Sequence, residues 1–273
     1  MSSDQKHPYH LVDPSPWPLI TSISVLVMAW GAISVMHYEK YLIFYIGTTA
    51  VLLSSFLWWR DVVKESESGS FHNKVVQIGL RYGMLLFIAS EVMFFAAWFW
   101  AFFDVALYPG VNSPELTGRM DAINGIFPPE DINLINPFGI PLLNTFILLA
   151  SGGTVTMAHH ALRNNERKKF LTYLLFTVIL GLVFTGFQAY EYMVAEFSID
   201  EGIYPSTFYM ATGFHGAHVL IGSIFLMVCF FRGLRGHFKP EKHLGFEFAA
   251  WYWHFVDVVW LFLFAFVYWW VSI

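Results

Sequence analysis

Seven apolar runs, each long enough to cross a bilayer, constrain this chain more than any other feature. About 20 apolar residues in a helix cover roughly 30 Å of hydrocarbon. Within that layer only helices and closed barrels satisfy every backbone N–H and C=O internally. The runs lie over roughly 17–36, 41–59, 75–107, 141–162, 170–195, 205–231 and 244–271. The third and seventh are long enough to tilt or to project beyond the hydrocarbon. Segments rich in Gly, Pro, Asn and charge separate them, KESESGSFHNK and IFPPEDINLINP among them. The expected fold is therefore an all-α integral membrane protein with seven transmembrane helices, read as one domain over residues 1–273 without an internal repeat.

Composition agrees. Only 13% of the residues are charged, against about 25% in a soluble domain. The one cysteine, Cys229, falls within an apolar run, so no disulfide framework is expected. The opening MSSDQKHPYHLVDPSPWP lacks the short apolar core and cleavage site of a secretory signal, so the first run is expected to be retained. Charge placement gives a direction. With the N-terminus on the cytoplasmic or matrix side, every Lys and Arg falls on that side except Lys40 and Arg119. The opposite side carries Glu115, Asp121, Glu130, Asp131, Glu196, Asp200 and Glu201.

Ionisable groups inside the spans need a partner or a role, because a charge at mid-bilayer costs about 2.5–3.5 kcal/mol on insertion scales. Glu91, in SEVMFFAAWFWAFF, is near mid-depth in the third run. It reads either as a proton-exchanging group or as a neutral carboxyl hydrogen-bonded to another helix. His215 and His218 are three apart and share a helical face. Gly213 and Ala217 beside them form a small-xxx-small pair that favours close helix approach. Glu247, His254 and Asp257 recur on roughly one face of the seventh run. His254 and Asp257 can hold each other's charge, as a proton relay or as a packing lock. The adjacent His159 and His160 point about 100° apart and do not chelate. No set of three or four ligands converges as a metal site needs, so these histidines read mainly as interhelical hydrogen-bonding groups, with no metal expected. Where the second and sixth runs end, WWRDVVKE and FFRGLRGH set basic and aromatic residues at headgroup depth. They serve either as lipid-headgroup pockets or as plain positive-inside anchors.

There is no P-loop, GxGxxG, nucleophile elbow or HExxH, and no paired broken helices of the transporter kind. A structural or regulatory subunit fits better than a stand-alone enzyme or carrier.

The motifs WWRDVV, RYGMLLFIASEVMFFAAWFWAFF, AHHAL, QAYEY, YMATGFHGAHVLIG and GFEFAAWYWHFVDVVWLFLF resemble subunit III of cytochrome c oxidase, over nearly the whole chain. The resemblance implies a two-helix bundle and a five-helix bundle separated by a cleft that holds structural phospholipids. It implies a subunit without a redox centre or catalytic residue of its own, with haem and copper in partner subunits I and II. It further implies that subunit I is the main contact, supported in proton uptake and turnover, and that cytochrome c is reached through the complex. Lipid contacts carry over to Trp59, Lys64, Glu65 and His72 on one wall and to Arg232, Arg235 and His237 on the other. Glu91 matches the family's membrane-buried carboxylate. The loop before Asn73 has one histidine, His72, where many relatives have two. Subunit III of a quinol oxidase is the near alternative, disfavoured by the two N-terminal spans. A proton or solute transporter and a membrane metalloenzyme are the readings from other classes.

Overall fold

The computed structural model describes residues 10–69, 71–109, 125–130 and 132–273. Lys6, Glu115, Arg119, Asp121 and Asp131, counted above for orientation, lie outside the described residues. Seven helices are long and apolar enough to cross a membrane: α1 Trp17–Tyr38, α2 Leu42–Ser68, α3 Lys74–Leu107, α4 Ile140–Arg163, α5 Arg167–Val194, α6 Ile203–Leu234 and α7, which starts at Leu244. They coincide with the seven apolar runs. α7 is α-helical over Leu244–Phe262, widens into a π-helical stretch at Leu263–Trp269 and tightens over Trp270–Ser272. α2 runs on through the charged stretch RDVVKESES, past the apolar run that announced it. Gly69, in a left-handed conformation with φ 73°, ends it. α3, at 34 residues, reaches about 51 Å at 1.5 Å per residue and so outruns the hydrocarbon.

The chain divides into two compact units, Met1–Tyr82 and Gly83–Ile273, and the division falls within α3. In the first, α1 and α2 form an antiparallel hairpin. A Cβ on Gly31 would enter the backbone of Phe44, and one on Gly47 the backbone of Met28. Close backbone approach thus does what bulky side chains do elsewhere. Ser24, Ser34 and Ser54 are buried along the seam. Thr21 donates to Ser54 Oγ at 3.1 Å, and the Trp17 indole donates to Asp61 Oδ2 at 2.7 Å.

In the second unit, α4 packs on α5, α5 on α6, α6 on α7 and α7 back on α4. The ring closes around the fully buried Trp253 and Trp260. Gly181 and Gly222 are notches for the Trp253 ring, since a Cβ would stand 2.6 and 2.9 Å from it. Among the described residues of this chain, the nearest atom to a Cβ on Gly213 is the Tyr192 hydroxyl at 4.0 Å, so none of these helices makes the expected close approach there. Gly222, two and a half turns on, performs that service because an indole needs the space. The second half of α3 joins this unit through long aromatic side chains rather than close backbones. Phe94 and Trp98 meet Phe214 at 5.0 and 5.1 Å between ring centroids, and Phe103 meets Phe266 at 5.1 Å.

Candidate functional site

Glu91 of α3 and His218 of α6 form one pair. Glu91 Oε2 lies 2.9 Å from His218 Nε2, with both side chains mostly shielded. His218 Nδ1 is 2.6 Å from the Phe214 carbonyl. A carbonyl only accepts, so Nδ1 carries a proton. Nε2 then either donates to a carboxylate from an imidazolium or accepts from a protonated carboxyl. In both arrangements one proton is shared between Glu91 and His218 and the pair carries no net charge, which answers the cost of a carboxylate at that depth. Phe95 sets its edge against the His218 ring at 4.9 Å, and Tyr252 lies parallel to it at 6.3 Å. Sequence spacing flagged both members but did not join them.

His215, one helical turn before His218, does not share that partner. It is fully buried, with Nε2 3.2 Å from the Val256 carbonyl and its ring between Phe184 and Trp260. In α7, His254 Nδ1 stands 3.5 Å from Asp257 Oδ2, and His254 Nε2 is 3.2 Å from Thr156 Oγ1. Asp257 is buried, and Gly152 makes room for its carboxylate. The His254 side chain is 46% exposed although it lies within the span. Glu247 lies in the first turn of α7, where a carboxylate faces the positive end of the helix dipole. Of the three residues that share a face in sequence, His254 and Asp257 are in contact. His159 and His160 diverge: His159 meets His243 at 3.2 Å, and His160 meets Asn164 at 3.0 Å.

One buried carboxylate went unremarked in sequence. Glu191 in α5 is almost wholly buried and accepts from the Tyr268 hydroxyl at 2.6 Å and the Gln188 amide at 3.1 Å. The signal was the same as for Glu91, an acidic residue inside an apolar run. Trp253 and Trp260 complete the core network by donating to Ser151 and Thr145, each at 2.9 Å.

The basic ends of α2 and α6 are built differently. On α2, Trp59 is exposed, Lys64 pairs with Asp61 at 3.3 Å, and Glu65 is half-buried. His72 follows the Gly69 turn, its carbonyl accepting from the Gln77 amide at 3.0 Å. Asn73 Oδ1 caps α3 by accepting from Val76 N–H at 2.9 Å. Partial burial lowers the His72 pKa, and the neighbouring His10 lowers it further. On α6, Arg232 lies 4.7 Å over the Phe238 ring, and Arg235 is exposed at the helix end. Gly236, with φ 76°, turns the chain so that His237 N–H donates to the Arg232 carbonyl at 3.1 Å. Arg167 of α5 donates to the Leu234 carbonyl at 2.7 Å and closes the same helix end. At the other side, Asp200 accepts from the Ser198 hydroxyl at 2.6 Å, which holds its carboxyl below the usual range.

The arrangement is that of a multi-pass helical membrane protein with several polar side chains paired across its helices. A profile of the family described as cytochrome c oxidase subunit III matches residues 7–272. Curated proteins named cytochrome c oxidase subunit 3 align end to end. The one from Marchantia polymorpha is 53% identical over 99% of both chains. Those from Arabidopsis thaliana and Bos taurus are each 52% identical, over 100% of both chains and over 98% and 99% respectively. The chain belongs to the cytochrome c oxidase subunit III family.

Proposed function

We propose that the chain works as the third, non-redox subunit of cytochrome c oxidase, in the complex that passes electrons from cytochrome c to oxygen and pumps protons. One observation carries the reading of a subunit rather than a lone protein. His254 turns a polar, half-exposed ring outward at the middle of a membrane span, beside Thr156. Such a group facing hydrocarbon calls for a protein neighbour. Subunit I is that main neighbour in our reading, with subunit II also in the assembly, and the haem and copper centres belong to these partners. The histidines of the α4–α7 core support this division of labour, since His215 and His218 are committed to backbone carbonyls and to Glu91.

The basic helix ends hold phospholipid heads. Trp59, Lys64, Glu65 and His72 serve one group of lipids, and Arg232, Arg235 and His237 another. A cation at headgroup depth attracts anionic lipid. Arg232, steadied by Phe238, and the exposed Arg235 are the pair best placed to do so on α6. These lipids brace subunit I and keep its proton entry supplied. The membrane is a bacterial plasma membrane or the mitochondrial inner membrane, with the N-terminus on the cytoplasmic or matrix side.

The test is the double variant Arg232→Ala/Arg235→Ala in the assembled oxidase. Loss of tightly bound phospholipid, together with activity that decays during turnover from a normal starting rate, is the expected result. Unchanged lipid content and an unchanged turnover lifetime would refute the lipid role.

A further inference from the structure

Within the N-terminal unit, three side chains with metal-binding atoms converge. One ligand atom each from His10, Glu65 and His72 lies within 4.8 Å of the others. The His10 and His72 rings are 5.4 Å apart between centroids. The convergence is built by the backbone. Gly69, in a left-handed conformation, turns the chain at the end of α2. The Gln77 amide and the Asn73 cap then fix the residues on which His72 is mounted. His10 comes from the segment before α1, remote in sequence, and is exposed.

The ligand chemistry is selective. Two imidazoles and one carboxylate suit a borderline ion such as zinc, whereas calcium and magnesium take oxygen shells. Zinc–nitrogen bonds of about 2.0–2.1 Å place neighbouring ligands of a tetrahedral ion roughly 3.3 Å apart. Rotation about the side-chain bonds of three partly exposed residues closes the remaining gap. Three protein ligands leave a fourth position to water.

We propose that His10, Glu65 and His72 form a site for a zinc-class divalent ion, which ties the chain preceding α1 to the turn between α2 and α3. The site shares Glu65 and His72 with the lipid reading and adds His10, so zinc lost in His10→Ala is told apart from a change in bound lipid. The ion is redox-inert and serves as a clamp. Sequence inspection found no such set because its members come from two distant segments.

The assembled complex, stripped with EDTA and dialysed against micromolar zinc, provides the test. Bound zinc is counted in wild type and in His10→Ala, Glu65→Gln and His72→Ala. His10 lies outside every helix, so its replacement leaves the spans intact. Wild type should retain about one more equivalent than each variant, and each variant should bind at least 10-fold more weakly. X-ray absorption at the zinc edge should show imidazole ligation that disappears in His10→Ala. Zinc uptake equal in wild type and His10→Ala would overturn the proposal. So would loss confined to Glu65→Gln and His72→Ala, or zinc bound without an imidazole signature.

Discussion

The α1–α2 hairpin and the α4–α7 ring solve the same problem, helix association in lipid, with different materials. Hydrophobic burial gives little advantage there, because lipid tails are as apolar as leucine. The hairpin brings two backbones together at Gly31 and Gly47 and adds three buried serines. The ring uses its glycines as notches for an indole, then ties the indoles to hydroxyls on the facing helix. The hairpin therefore depends on what is missing from two positions, and the ring on what is present at several. The ring's centre is correspondingly closed, whereas most large side chains of α1 and α2 face outward.

Replacing Trp253 by alanine should produce the largest effect. It empties the centre of the ring and removes the indole donor to Ser151, a loss of about 3–5 kcal/mol by analogy with buried large-to-small changes. The expected signs are a lowered melting temperature and poor recovery of the second unit in detergent. Wild-type stability would break the account of the ring.

Next comes Gly47→Leu, which forces a side chain into the Met28 backbone, with overpacking worth about 1–3 kcal/mol. Amide hydrogen exchange should quicken in α1 and α2 and stay unchanged in α4–α7. Quickening throughout would show that the two regions are not the separate units described here.

How much of this was legible beforehand follows from what each signal depends on. The spans were legible because hydropathy is a property of consecutive residues. The end of α2 was not, since the helix continues where hydropathy stops, through Arg60 to Ser68, and ends at the Gly69 turn. Glu91 and His218 each stood out as polar residues in apolar runs, but they are 127 positions apart and nothing in one sequence pairs them. The Gly213/Ala217 pattern is a small-residue motif that none of the described helices of this chain packs closely against at Gly213. Which glycines receive a neighbour depends on the position of Trp253, a tertiary fact. Glu191 was readable by the rule that singled out Glu91. Its partners Gln188 and Tyr268 explain why it is tolerated.

The pair in the second unit gives a sharper, smaller test. His218→Ala should leave the Glu91 carboxyl without its acceptor and donor partner, a loss of about 1–3 kcal/mol. Infrared difference spectra under proton–deuterium exchange should show one carboxyl or carboxylate band that shifts in His218→Ala and vanishes in Glu91→Gln. A band indifferent to His218 would dissolve the pair.

The smallest effect lies outside the membrane. Ser198 holds the Asp200 carboxyl below its ordinary value, so the stabilisation is present above the unfolded-state pKa and is lost as pH falls through the folded one. Ser198→Ala should raise the Asp200 titration midpoint toward the usual carboxylate value, as followed by carbon-13 resonance of the side chain. An unmoved midpoint would remove Ser198 as the cause.

Isolation of the chain by an affinity tag, from its native membrane in mild detergent, tests the central claim most directly. The account predicts co-purification of partner chains, a haem spectrum in the eluate, and oxygen consumption driven by reduced cytochrome c. Recovery of the chain alone, without haem and without cytochrome c-driven oxygen consumption, would contradict it.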